Sequence, residues 1–417
     1  MTAIRERVAE ANYYDVEAVR RDFPILSRMV HGKPLIFLDS AASAQKPRAV
    51  IDAVTSCYSE EYANIHRGVY FLSQLATEKF EGARKTVQCF LNAGEAREIV
   101  FTRSATEAIN LVASSYGRHF LKRGDEIILS EIEHHSNIVP WQLLRDETGV
   151  VLRIAAVDDR GALRPDHFRS LLSERTKLVA VTHMSNALGT VLPVRELTRM
   201  AHEAGARVLI DGCQAVPHMP VDVRAIDADF YVFSGHKLYG PSGIGVLYAK
   251  ADLLESMPPY QGGGDMILSV SFEKSTYAPI PHKFEAGTPH IAGAIGLGAA
   301  IDYVTSVGLN RISNHEHALT TYASERLMAI PGIALVGTAP GKGSILSFVV
   351  DGVHPHDVGT ILDHHGIAVR AGHHCAQPAM DRFKVPGTVR ASLGMYNTEA
   401  EVDTLAAALR RVREIFA

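Results

Sequence analysis

The stretch "DFYVFSGHKLYGPSGIGVLYAK", Asp229 to Lys250, decides the fold. An apolar run ends at Ser234, and His236 and Lys237 follow at once, flanked by glycines that let the backbone turn tightly. A second apolar run, "GIGVLYAK", comes directly after the turn. Working outward, similar runs recur: "EIVFT" (98–102), "DEIILS" (125–130), "VVLRIAAV" (150–157), "KLVAVTHMS" (177–185) and "RVLIDGC" (207–213). Helical patterns such as "ATEAINLVASSYGRHFL" and "PVRELTRMAHEAG" lie between them. Near-continuous Val/Ile/Leu strands alternating with helices predict a mainly parallel sheet covered on both faces. In such folds ligands bind beyond the carboxyl ends of the strands. Lys237 is then a lysine beside a ligand crevice, placed to form a Schiff base with an aldehyde cofactor.

Other strands end on polar groups too. "RVLIDGCQAV" ends on Asp211, with Cys213 and Gln214 just beyond; the carboxylate suits either a protonated ring nitrogen or a loop hydrogen bond. "FTRSATEAINLVA" puts Ser104, Ala105 and Thr106 at a helix start, where free N–H groups and the helix dipole favour a phosphate or a plain capping box. "ILSEIEHHSNIVPW" supplies His134 and His135, and "HMSNALGT" supplies Asn186. Singly each reads as structural; together they outline a site.

The Pro/Gly-rich "MPPYQGGGDMI" (257–267) closes this region, and a loop-rich stretch leads to a helix in "KFEAGTPHIAGAIGLGAAIDYV". Beyond it, "NHEHALTTYASERLMAI" reads as a helix, "SILSFVV" and "IAVRAG" as strands, and "EAEVDTLAAALRRVREIF" as a final helix. That is the pattern of a smaller α+β domain beginning near residue 300. The 417 residues suffice for a large domain plus a small one without disulfides or a structural metal. With 47% hydrophobic and 21% charged residues the chain is of the soluble globular type. A net charge of −4 gives no basic footprint, so nucleic acid is not the expected partner. The four cysteines (Cys57, Cys89, Cys213, Cys375) are scattered, with no CxxC pair, as reduced thiols would be. The charged start lacks a signal-peptide core, and no run reaches the ~18 apolar residues of a membrane span. The expectation is a cytoplasmic protein that engages no membrane.

"IDGCQ", "SGHKLYGPSGIG", "TRSATEAIN" and "RAGHHCAQP", taken together, resemble the PLP-dependent cysteine desulfurases of the class V aminotransferase group, in particular the SufS type, or group II. The resemblance runs from "FLDSAASAQKP" to "VRASLGMYNT". It implies PLP-dependent transferase fold type I: residues 1–30 packing on the small domain, 31–300 as the large PLP-binding domain with a seven-stranded sheet, and 301–417 as the small domain carrying the cysteine loop. It implies that Lys237 holds pyridoxal 5'-phosphate covalently, Asp211 pairs with its ring nitrogen, His134 stacks on the ring and moves protons, and Gln214 donates to the ring's phenolic oxygen. Thr106, Ser234 and His236 would hold the phosphate, with Thr288 of "FEAGTPH" reaching in from the second subunit of a homodimer. Arg390 would take the carboxylate of L-cysteine, helped by Asn186 and Arg370. Cys375 would attack the substrate sulfur, giving alanine and an enzyme persulfide for iron–sulfur cluster assembly.

An ordinary thiol is only about 3% thiolate at pH 7. His373, His374 and Arg370 would raise that fraction if the histidines are charged. Zinc at His373, His374 and Cys375 is not expected, because neighbours in an extended segment point to opposite faces. The family more often has Gly-Thr where this chain has Ser104-Ala105, so one phosphate hydroxyl is lost or supplied by Ser104. Cys57, Cys89 and Cys213 read as core or near-core thiols. The persulfide would pass to an acceptor of the SufE or SufU kind, within reach of the SUF scaffold complex. In "DGVHPHDVGTILDHHG", His356 is either a ligand lent to the acceptor's zinc or part of a solvated loop. The rival readings are a selenocysteine lyase of the same fold, another PLP aminotransferase or lyase, and a non-catalytic zinc-binding scaffold.

Overall fold

The computed structural model describes residues 14–416; the expectation for residues 1–13 lies outside them. All seven expected runs form strands: β1 (Ile99–Thr102), β2 (Glu126–Ser130), β3 (Val151–Ala155), β4 (Thr176–Thr182), β5 (Arg207–Asp211), β6 (Phe230–Ser234) and β7 (Gly245–Ala249). They make one seven-stranded sheet in the order β1-β7-β6-β5-β4-β2-β3. Every neighbouring pair is parallel except the two that β7 makes, with β1 and with β6. The central strands are buried throughout, as sequences with no polar face require, and β3 at the edge is largely exposed.

The antiparallel β7 fixes the geometry of the rest. Gly245 is paired with Thr102 on one side and Ser234 on the other. The carboxyl ends of β1 and β6 are thereby held one strand apart at the same sheet edge. The helix that starts at Ala105 runs on through a π-helical segment (Val112–Gly117) to Phe120. Two apolar cores cover the two sheet faces, one including Phe80, Tyr231 and Phe233, the other Trp141, Leu209 and Val232.

A four-stranded antiparallel sheet forms from β8 (Ile333–Val336), β9 (Ile345–Val350), β10 (Arg370–Gly372) and β11 (Thr388–Ser392), in the order β8-β9-β11-β10. Its core takes in the helices Leu309–Met328, Pro355–His364 and Glu399–Phe416, and also Ile36 and Leu38 from the amino-terminal part of the chain. The expected strand 367–372 is split. Ile367–Ala368 pairs in parallel with Ile36–Phe37, whereas Arg370–Gly372 pairs with β11. Hydropathy cannot reveal that split, since both halves have apolar neighbours. The loop reading of "DGVHPHDVG" is also corrected: His354 caps a helix whose first turn carries an exposed His356. The loop-rich stretch before residue 283 contains a hairpin, Ile267–Val270 with Ser275–Tyr277.

A Cβ at Gly245 would lie 2.5 Å from the Ser104 Cα, a backbone atom that cannot step aside. Gly245→Ala should therefore destabilise the protein by about 1–3 kcal/mol. A lowered midpoint in chemical denaturation checks this.

Candidate active site

Lys237 ends the short helical turn Gly235–Lys237 that follows β6. Gly235 is required there, because a Cβ would stand 2.8 Å from Ile244 Cγ2 and 3.2 Å from its carbonyl oxygen. The turn is fixed through the His236 carbonyl, which accepts from the Ala44 amide and, at 3.1 Å, from the Lys46 ammonium. The Lys237 amine itself makes no hydrogen bond or ion pair among the described residues. It faces a cavity of about 380 Å³ whose opposite wall carries Cys375, His374, Arg370 and Arg390.

On the Lys237 side the cavity meets a helix start. Ser104 caps the helix, its hydroxyl accepting from the Glu107 amide at 3.4 Å. The Ala105 amide donates to Ser234 Oγ at 2.9 Å, and the Thr106 amide is a first-turn donor without a partner among the described residues. Asp211, at the end of β5, accepts from the Cys213 amide through Oδ1, and Oδ2 makes no hydrogen bond among the described residues. His134 Nδ1 accepts from the Ser136 amide at 3.0 Å, which fixes the ring proton on Nε2 when the imidazole is neutral. Burial, then the Lys237 charge, pushes its pKa down to about 4, so it is neutral at pH 7.

The wall opposite is built around Arg390, which is 2% exposed. One terminal nitrogen donates to the Asn186 carbonyl at 2.8 Å, the other to Asp39 at 3.3 Å, and Nε has no partner among the described residues. Burial lowers this guanidinium to about 10, with Asp39 acting against the shift. Asp39 also takes a two-bonded contact from Arg370, at 3.1 and 2.8 Å. Arg390 is thus a cation in the wall of the cavity, where an anionic group fits.

Cys375 is exposed and stands in a turn, not an extended segment. His374 and Cys375 both have φ of +54°, in the left-handed region that costs non-glycine residues about 1–2 kcal/mol each. Surrounding bonds hold the turn: the His135 amide donates to the Cys375 carbonyl at 2.7 Å, and Asn186 Nδ2 to the His374 carbonyl at 2.6 Å. His374 is buried against Thr388 Oγ1, and His373 faces the Pro386 carbonyl. Burial pushes His374 down to about 3, so it brings no charge to the thiol. Of the two states the sequence left open for His374, charged or neutral, the neutral one is favoured. The fixed positive charges that feel Cys375 are Arg370 and Arg390.

The cavity gathers Lys237, Asp211, His134, Thr106, Ser234, His236, Asn186, Arg390, Arg370 and Cys375. It does not gather Gln214, whose amide is buried and donates to the Ala41 carbonyl at 2.7 Å. Thr288 lines a separate cavity beside Arg103 and Tyr260, and His356 is on the surface. Cys213 is buried in the cavity wall and burial raises its thiol to about 12, whereas Cys89 is exposed and not a core thiol. Two residues escape the sequence reading. Asp39 lies in a quoted stretch, yet nothing local ties it to two arginines more than 300 positions away. Glu133 sits directly before His134, fully buried, accepting from Ser130, Asn137 and the Thr182 amide, and burial raises it to about 7. Its signal was an acid in the middle of "SEIEHH" after an apolar strand.

A lone lysine at the carboxyl edge of this sheet, beside a helix start and a strand-end carboxylate, defines the fold of the class V aminotransferases. The family model "Aminotransferase class-V" matches residues 36–405. A cysteine desulfurase of Dickeya dadantii is 52% identical over 97% of this chain and 98% of that protein. One of Synechococcus elongatus is 53% identical over 96% of this chain, which spans 64% of that relative's length. The solved cysteine desulfurase CsdA of Escherichia coli, in its S-sulfonic acid form, superposes with a TM-score of 0.90 at 41% identity, covering 97% of this chain and all of the other. The chain belongs to the class V aminotransferase family, as a homologue of its cysteine desulfurases.

Both buried imidazoles have depressed pKa values, so their contribution to stability is complete above about 6.5. It is lost as pH falls through about 4 for His134 and about 3 for His374. Ring-proton NMR should find His134 uncharged at pH 6, and the thermal midpoint should fall below pH 6.5. His374→Asn, which tolerates the left-handed backbone, should flatten that fall.

Proposed function

We propose that this chain is a PLP-dependent cysteine desulfurase of the SufS type, converting L-cysteine to L-alanine with sulfur passed to Cys375. The observation that carries the reading is the single cavity shared by the unpaired Lys237 amine, the partly satisfied Arg390 guanidinium and the exposed Cys375 thiol. The residues fit pyridoxal phosphate: Lys237 for its aldehyde, Asp211 Oδ2 for its ring nitrogen, and the Thr106 amide with Ser234 and His236 for its phosphate. When bound, that group supplies an electron sink that weakens bonds at the substrate's Cα and Cβ.

The chain's own groups do the rest. Arg390 and Asn186 orient the substrate carboxylate, and Lys237 moves the Cα proton. His134 presents Nε2–H as a neutral donor. Cys375, as thiolate beside Arg370 and Arg390, attacks the substrate sulfur. An S–S bond forms as the Cβ–S bond breaks; the electron pair goes to Cβ, which is protonated to give alanine. Asp39 and Glu133 are positioning residues, the first for both arginines, the second for the turn that carries His134.

The protein acts as a homodimer in this reading. Leu268, Val270 and Phe272 on the exposed hairpin form apolar surface of the kind a second copy covers, and Thr288 of one copy serves the phosphate site of the other. The large and small domains divide near residue 300. The acceptor is of the SufE or SufU type, docking near His356, whose helix packs beside β10. Four unpaired cysteines fit a reducing cytoplasm. Among the described residues no single helix is long and apolar enough to cross a membrane.

Cys375→Ser should keep the visible absorbance band and lose alanine and sulfide formation from L-cysteine by roughly 10³-fold or more. Retained turnover would refute the division of labour, and retained turnover of L-selenocysteine alone would leave it standing. Arg390→Lys should raise KM for L-cysteine about tenfold or more, since charged hydrogen bonds are worth about 1.5–3 kcal/mol. His356→Ala should lower the acceptor-stimulated rate and spare the basal one; equal loss of both would count against the docking site.

A further inference from the structure

A second cluster of metal-type ligands lies away from the Lys237 cavity. His66, Glu81 and His282 bring one ligand atom each to within 4.8 Å of the others. They come from three separate places: the loop before the helix Phe71–Leu91, that helix itself, and the turn His282–Phe284. His66 is held in the left-handed region, at φ of +68°, by its amide donating to Thr77 Oγ1 at 2.8 Å. Its Nε2 lies 3.0 Å from Glu81 Oε1. Zinc bonds of about 2.0–2.1 Å at tetrahedral angles put neighbouring ligand atoms roughly 3.3 Å apart, so that pair already has the spacing. His282 stands edge-on to His66 with ring centroids 4.9 Å apart, and its side chain is 38% exposed, free to close the remaining gap by rotation.

The surroundings favour a cation. Glu81, Glu285 and Asp265 outnumber Arg84 and Arg67 around the cluster, and Arg84 is already committed to Glu81 and Glu285. The Glu285 carboxylate, bound to Arg84, lies 3.9 Å from His282 Nδ1, beyond hydrogen-bond distance, and adds negative charge beside the cluster. Glu81 Oε2 accepts from Arg84 Nε at 2.8 Å, and Oε1 faces His66 at 3.0 Å with a longer contact of 3.2 Å from Arg84 Nη2, which zinc at Oε1 would have to displace. His66 is exposed and Glu81 and His282 are half-buried, which leaves a fourth position for water, as in open zinc sites.

We propose that His66, Glu81 and His282 form a Zn²⁺ site that pins the segment leading to Thr288 onto the helix Phe71–Leu91. The site needs neither PLP nor Cys375, so its test is independent of the functional reading above. Untagged full-length protein carrying Cys375→Ser, which removes the competing thiol, is titrated with ZnCl₂ against a chromophoric chelator. One Zn²⁺ per chain is expected. His282→Ala and His66→Asn, the latter chosen because Asn accepts the left-handed backbone, should each weaken it by more than the roughly 10–100-fold that losing an outer-shell partner costs. Thermal midpoints in zinc-free buffer report whether each variant is folded, and Zn²⁺ should raise the midpoint of the parent alone. Failure of the parent to take up Zn²⁺, or undiminished affinity in either folded variant, overturns the site.

Discussion

The Asp39 carboxylate holds two guanidinium groups, Arg370 and Arg390, and the cavity depends on that arrangement. Arg390 is almost wholly out of water, where an unpaired cation costs several kcal/mol. Asp39 offsets part of that penalty, and the Asn186 carbonyl a further part, yet one N–H stays unmatched. The result is a cation that is tolerated without being saturated. Without Asp39 the Arg390 guanidinium would be buried with the Asn186 carbonyl as its remaining partner, and the exposed Arg370 would lose its anchor.

Desolvation decides the charge state of the rest of the cavity. His134, His236 and His374 are all driven below neutrality, with burial as the largest cause and the cationic neighbours reinforcing it. These imidazoles are therefore neutral at pH 7, and the Ser136 amide fixes the tautomer of His134. Positive charge is left to side chains that cannot lose it easily. Glu133 goes the other way, raised by the same burial.

The large sheet was legible because each of its seven strands is a short apolar run bounded by turn residues, and because parallel strands cannot be confused with half-solvated ones. The strand-end residues Asp211, His134, Asn186 and Lys237 were legible for the same reason: the six strands that run in one direction put their carboxyl ends on one edge. Register was not legible. Nothing in "IAVRAG" indicates that two residues join one sheet and three another. Nor does "GHHCAQ" indicate two consecutive left-handed residues, since their cost is met by bonds from His135 and Asn186, distant in sequence. Asp39 went unnoticed because its partners are long-range, and the bond from Gln214 to the Ala41 carbonyl, 173 positions away, is equally out of local view.

The left-handed turn at His374 and Cys375 also sets where cargo is handed over. Its backbone is anchored on both sides while the thiol projects into solvent at the cavity mouth. An added sulfur atom lengthens that side chain by about 2 Å, the length of an S–S bond. The outermost atom is then presented beyond the rim, on a rigid post. Any small thiol in solution would then compete with a receiving protein for the same exposed atom.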